Sequence, residues 1–161
     1  MELSKVSVII VNYNGKELLE KCLDSLFKVE YANFEVIIVD NNSTDNTIEF
    51  VTKNYPTIII IKLDSNKGFA EPNNLAAKTT KGDFLLFLNN DTVVTPNFIS
   101  EMIKVFEQDK TIGICQSLLL KPNRSIDSSG DFIDKLGIVY NSKTKIKEIR
   151  NISSARGASM L

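Results

Sequence analysis

The chain has 161 residues, 43% of them hydrophobic and 24% charged, enough for one domain with a real core. Nineteen basic and 20 acidic residues leave a net charge of −1, which excludes broad nucleic-acid binding. Histidine is absent, so His-based triads and His metal sites are excluded as well.

Lys5–Val11 is a β-branched run that reads as the first strand, broken by the turn formers Asn12-Tyr13-Asn14-Gly15. It is too short to cross a membrane and lacks a signal-peptide pattern. A helix is predicted over Lys16–Lys28, with Leu18, Cys22 and Leu26 in one row and Leu19, Leu23 and Phe27 in the next. Phe34–Val39 is a second buried strand ending on Asp40-Asn41-Asn42. Ser43 or Thr44 is expected to cap the short helix that follows, with Asp45 near its positive end; that helix stops before Pro56. Thr57–Leu63 is the third strand, and Gly68–Thr80 is mostly helical.

Phe84–Leu88 is an uninterrupted apolar run behind Gly82 and is expected at the centre of a parallel sheet. It stops at Asn89-Asn90-Asp91. Thr95-Pro96 is expected to cap and open a helix through Phe106, and Thr111–Leu120 to form a further strand. Residues 1–120 thus read as the βαβ core of one domain, 1–161, and 121–161 as a hairpin or irregular segment. Lys143–Arg150 is charged and expected to be exposed. Cys22 and Cys115 lie in apolar patterns, as small hydrophobes of a reducing compartment do. Regular alternation of strands and helices predicts an α/β fold, a mostly parallel twisted sheet flanked by helices.

A parallel sheet gathers three polar clusters at one edge: Asn12-Tyr13-Asn14, Asp40-Asn41-Asn42 and Asn89-Asn90-Asp91. In open α/β sheets that edge is the ligand crevice. Asp91 is the candidate ligand of a divalent cation, Mg²⁺ or Mn²⁺, which would neutralise a nucleoside diphosphate; its alternative duty is to cap the next turn. Asn90 can orient a water or a phosphate oxygen. Asp40 and Asn41 suit the N–H and carbonyl edge of a pyrimidine, and Tyr13 suits stacking on its ring. The alternative duty of Asp40 is to cap the next helix at its N-terminus, and that of Tyr13 is to be a partly buried turn aromatic. Lys67-Gly68 opens a helix whose amides and ammonium could face phosphate or sugar, or Lys67 is an exposed loop lysine. Asn74 is a weaker candidate, for the site or for bridging strands.

Taken together, Val6–Gly15, Phe34–Thr47, Asn66–Asn74 and Leu88–Ile99 resemble the family 2 glycosyltransferases of GT-A fold, most closely the rhamnosyltransferase-like branch. The resemblance implies inverting hexosyl transfer from a dTDP-, UDP- or GDP-linked sugar to a glycan or lipid-linked acceptor. It also implies a place in cell-surface polysaccharide synthesis, in the cytoplasm or at the inner membrane face. Val11, Tyr13, Asp40 and Asn41 match the nucleoside pocket, and Asn90 and Asp91 fall on the metal-binding motif. Asn89 stands at that motif's first acidic position, and Asn41 at a position often acidic in the family. No residue matches the family's general base, expected after a segment like Gly157-Ala158. The expectation is therefore a truncated donor-binding part, catalytically weak alone, whose apolar Met160-Leu161 end leaves surface for a homodimer. A non-catalytic nucleotide-sugar-binding domain is the nearest alternative. A receiver-type signalling module would need an acidic pair after the first strand, and a sugar nucleotidyltransferase a Gly-rich loop there; neither is present.

Overall fold

The first strand is the axis of the molecule. In this computed structural model, which describes residues 3–133, 135–136, 138–144, 149, 151–155 and 157–161, β1 spans Val6–Asn12. Val6, Val8, Ile9 and Ile10 are all fully buried. The run is apolar without alternation because both of its faces are covered. Val6, Val8 and Ile10 point to one layer and Ile9 to the other.

Around β1 the sheet is built from β2 (Phe34–Asp40), β3 (Ile59–Lys62), β4 (Phe84–Leu88) and a two-residue strand at the chain's end, Ser159–Met160. The order across the sheet is β3-β2-β1-β4 and then the terminal strand. The first four are parallel, and the terminal strand runs antiparallel to β4. The central strand is therefore β1, not Phe84–Leu88. β4 buries only Leu86 and Leu88, because its outer neighbour is two residues long and covers little.

The helices follow the expected stripes with shorter ends. α1 (Lys16–Leu26) buries Leu19, Cys22, Leu23 and Leu26; Leu18 and Phe27 fall at the margins of that stripe and are exposed. α4 (Phe98–Gln108) lies on the same layer through Ile99, Met102, Ile103 and Phe106, and α2 (Thr47–Asn54) adds Val51. α3 (Ala70–Ala77), shorter than Gly68–Thr80, covers the opposite layer with Ala76 against Ile9, Ile37 and Val39. Two caps differ from expectation. α4 begins after Asn97 rather than Thr95-Pro96, since Thr95 and Pro96 form the preceding turn, with Phe98 N–H on the Thr95 carbonyl. α2 begins after Asn46, a left-handed residue, and Asp45 rather than Ser43 or Thr44 accepts the Thr47 N–H. A carboxylate two residues upstream does what a hydroxyl cap would do.

Thr111–Leu120 does not form one strand. Only Leu119–Leu120 (β5) is laddered there, against β6 (Ile126–Ser128), and β7 (Asp131–Ile133) pairs with β8 (Val139–Asn141). Further back the segment spends its hydrogen bonds on the chain's end. Cys115 and Leu161 exchange both backbone bonds, at 2.8 and 3.0 Å, and Gln116 bridges Met160. The terminal strand is β9, and the chain after Leu120 thus returns to the main sheet. Leu161 is 6% exposed and belongs to the principal core. Of the expected exposed apolar stub, Leu161 is core instead and Met160 is half-buried, because β9 carries them inward beside β4. Of the charged stretch Lys143–Arg150, Lys143, Thr144 and Ile149 are exposed and the rest lies outside the described residues. Among the described residues no helix is long and apolar enough to cross a membrane.

At the sheet's other end Glu35 gathers the chain. It pairs with the Lys5 ammonium, accepts Ser7 Oγ at 2.7 Å and takes the Lys81 N–H at 3.2 Å. Burial pushes the Glu35 carboxyl up, but these donors outweigh it and hold it below its ordinary range. Its contribution to stability is therefore complete above the unfolded value, about 4.3, and is lost as pH falls through the lower folded value. Glu35→Gln should flatten the decline in urea-denaturation stability on acidification below about pH 4.5 relative to wild type. Leu161→Ala should cost about 2–4 kcal/mol by the same measurement, whereas an exposed stub would leave stability unchanged.

Candidate donor-binding site

The site is the edge where β1, β2 and β4 end. Asn12 is in register with Asp40, and Ile9 with Phe87, so Asn89-Asn90-Asp91 emerges beside the other two clusters. Asn12 is fully buried and holds the edge together. Its Nδ2 donates to Ser43 Oγ and to Thr47 Oγ1, each at 3.3 Å. Its Oδ1 accepts Asn90 Nδ2 at 2.7 Å, and its carbonyl accepts the Asn41 N–H at 2.8 Å. One amide side chain thus ties the β2–α2 loop and the end of β4 to β1.

Asp40 is 3% exposed. Its Oδ2 accepts the Ser43 N–H at 3.1 Å, while Oδ1 is buried and has no hydrogen-bond partner. A buried carboxylate oxygen without a donor is costly, and a ligand N–H would relieve it. Tyr13, 50% exposed, offers a free ring face just after Asn12, and Val11 is half-buried.

Asn41 is placed differently from a base-reading amide. Its Oδ1 accepts the Lys67 N–H at 2.8 Å, and its Nδ2 donates to Asn66 Oδ1 and the Gly68 carbonyl at 3.0 and 2.8 Å. It pins the 66–68 loop. The Gly68 N–H goes to Asn66 Oδ1 at 2.9 Å. Both amides expected to face phosphate are therefore already bonded, that of Lys67 to Asn41 and that of Gly68 within the loop. Gly68 has φ +74°, which an L side chain resists. The Lys67 ammonium stands 3.7 Å from Asp64, exposed. Lys67 and Asn74 share an open groove of about 570 Å³ along α3, also lined by Leu63, Glu71, Leu75 and Lys78. Asn73, next to Asn74, is the buried one of the two and donates to the Phe69 carbonyl at 2.8 Å.

Asp91 lies exposed in the turn after β4. Its donor set is one carboxylate with the oxygens of Asn89 and Asn90 nearby in sequence, and no cluster of three acidic, Cys or His groups exists among the described residues. Hard oxygen donors of this kind fit a divalent cation that keeps water and phosphate oxygens as its other ligands. Below the turn Cys22 donates to the Asn89 carbonyl at 3.6 Å. Burial, with the Asp91 carboxylate adding to it, pushes the Cys22 thiol up to about 12. Burial likewise pushes Cys115 up to about 11, so neither thiol is a nucleophile.

Two residues that order this edge were not among the candidate site residues. Asn12 hid at the end of an apolar run, and only its neighbours in Asn12-Tyr13-Asn14 hinted at it. Asp45 was read as a helix-end charge, yet its Oδ2 also accepts the Lys16 N–H at 2.9 Å and so joins α1 to α2. Burial opposes the charge on Asp45, but the Thr47 hydroxyl and the Lys16 and Thr47 amides hold its carboxyl below the ordinary range.

Comparison with known proteins agrees with this fold. The model of Glycosyl transferase family 2 matches residues 7–150. An Escherichia coli protein, UDP-Glc:alpha-D-GlcNAc-diphosphoundecaprenol beta-1,3-glucosyltransferase WfaP, is 38% identical over 106 residues, 65% of this chain and 42% of its own. The Myxococcus xanthus O-antigen biosynthesis protein RfbC is 33% identical over 137 residues, 83% of this chain and 11% of its own. The structure of S. aureus TarS 1–349 in complex with UDP-GlcNAc superposes with TM-score 0.68 at 27% identity, covering 78% of this chain and 37% of that one. The chain spans less than half the length of the curated relatives it matches. The parallel sheet, its polar edge and the family match over most of the chain together establish that the chain belongs to glycosyl transferase family 2.

Proposed function

We propose that this domain binds a nucleoside diphosphate sugar at the β1/β2/β4 edge, for inverting transfer of the sugar to a glycan or lipid-linked acceptor. The observation that carries the proposal is the partnerless buried Oδ1 of Asp40, in register with Asn12. A uracil or thymine N–H is the donor that such an acceptor lacks, and Tyr13 supplies a ring face beside it. Asp91 is the proposed ligand of Mg²⁺ or Mn²⁺, with the Asn90 oxygen beside it. When bound, the cation supplies charge neutralisation at the pyrophosphate.

The relatives' names support the donor class: WfaP is named for UDP-Glc and a diphosphoundecaprenol acceptor, and TarS was solved with UDP-GlcNAc. The rhamnosyltransferase-like reading rests on VDNNSTD, GFA and LNND, which brings dTDP into the comparison. Asn41, Lys67 and Gly68 act as a unit in this proposal, the amide holding the loop that flanks the nucleoside. Asn74 contributes from the groove behind it. Asp40, Asp45 and Asp91 have other duties at this edge, so none of the three is proposed as the base that takes the acceptor's proton. The proposal puts the reaction in the cytoplasm or at the inner face of the membrane, where a lipid-linked acceptor would lie.

Titration calorimetry with UDP, dTDP and GDP, with and without Mn²⁺, tests the reading. A pyrimidine diphosphate should bind, and bind more tightly with Mn²⁺. Asp40→Asn turns an N–H towards the base and should weaken binding about tenfold or more, with or without metal. Asp91→Ala should remove the Mn²⁺ enhancement and leave the metal-free affinity unchanged. Equal binding by both variants and wild type would sink the assignment.

A further inference from the structure

Around Asn12 the direction of every hydrogen bond is forced. An ionised carboxylate only accepts. Asp45 Oδ1 takes the Thr47 hydroxyl proton, and Oδ2 takes the Lys16 N–H. Thr47 Oγ1 has then spent its one proton and offers only lone pairs. It must accept from Asn12 Nδ2, as Ser43 Oγ does while also accepting the Asn14 N–H at 3.0 Å. That turns Asn12 Oδ1 towards β4, where it can only accept, and Asn90 Nδ2 donates to it at 2.7 Å. An amide is planar, so an Asn90 with its NH₂ committed inward presents its carbonyl oxygen on the other limb.

We propose that Asp45, Thr47 and Asn12 are positioning residues that form a one-way relay, fixing the Asn90 side chain so that its oxygen, and not its NH₂, faces the cation beside Asp91. This rests on the cation-dependent donor binding proposed above. The relay matters because Asn89-Asn90-Asp91 brings a single carboxylate. A hard cation and its waters need oxygen, and an NH₂ turned outward at Asn90 would oppose them. Distant partners that orient a ligand in this way change affinity without touching the metal. Gly15 packs against the relay: a Cβ there would stand 2.4 Å from Asn90 Nδ2 and 2.8 Å from Asn12 Oδ1. The inward limb of Asn90 is thus held against the β1–α1 backbone as well as against Asn12.

Retention of Mn²⁺ by the protein with UDP, read from the free-Mn²⁺ electron paramagnetic resonance signal, tests the relay without any turnover. Thr47→Val keeps the shape, removes the hydroxyl that sets the direction, and should weaken retention about threefold to tenfold. Thr47→Ser should retain Mn²⁺ as wild type does. Asn90→Asp adds charge next to Asp91, yet the relay sets its oxygens against Asn12 Oδ1, acceptor facing acceptor, so it should retain Mn²⁺ less well than wild type. In that background Thr47→Val frees Asn12 to turn its NH₂ to the new carboxylate, and retention should rise. A structural role for Thr47 would weaken both backgrounds alike, and that result, or no effect in either, overturns the relay while donor binding stands. Should Thr47→Val fail to fold in thermal melts, Asn90→Asp decides alone: equal or tighter retention overturns the relay. A wild type that retains no Mn²⁺ with UDP, dTDP or GDP overturns the donor reading, and the relay with it.

Discussion

A fully buried asparagine carries the arrangement of this edge. Asn12 sits where the apolar strand β1 ends, and an amide there would be destabilising if any of its polar atoms lacked a partner. Each one has found a partner on a neighbouring stretch of chain: Ser43 and Thr47 after β2, Asn90 after β4, and the Asn41 N–H on the Asn12 carbonyl. Satisfying one residue therefore fixes the segment after β2 and the turn after β4 at once. The same edge carries the Asp40 carboxylate, and the turn with Asp91 opens directly behind Asn90. The geometry offered to a ligand is a by-product of satisfying a buried polar group.

The two ends of the sheet are stabilised by different means. At the amino ends a lysine, a serine and a backbone amide close around Glu35, and the charge there is fully answered. At the carboxyl ends one oxygen of Asp40 is left without a donor. Closure at one end and an unmet acceptor at the other distinguish scaffold from site more clearly than the cavities do. Two open grooves, along α3 and beside α1, do not have Asp40 in their lining. The 66–68 loop is held by Asn41 and by itself: Asn41, Asn66 and Gly68 spend their polar groups on one another.

Much of this was legible along the chain. The runs at Val6–Val11, Phe34–Val39 and Phe84–Leu88 announced buried parallel strands because covered faces demand apolar residues at consecutive positions. Their polar endings announced a crevice because parallel strands must finish on the same side. The stripes of α1 and α4 were visible for the same reason, with Leu19, Cys22 and Leu23 or Ile99, Met102 and Ile103 at helical spacing. The caps were less legible. A carboxylate at Asp45 can cap as Ser43 or Thr44 would, and local residue type does not choose between them.

What the sequence determined by itself was the class of fold, the family and the edge at which Asp40 and Asp91 gather, since period and strand-end chemistry are local properties. Tertiary structure alone decided three things. It put β1 rather than β4 at the centre, because strand order depends on which neighbours pair. It took Leu161 from apparent surface into the core, because β9 pairs with a strand more than 70 residues earlier. And it made Asn12 the hub and Asn41 a loop clamp, because an amide's role is set by the partners that folding brings within 3 Å or so, which no single stretch of chain contains.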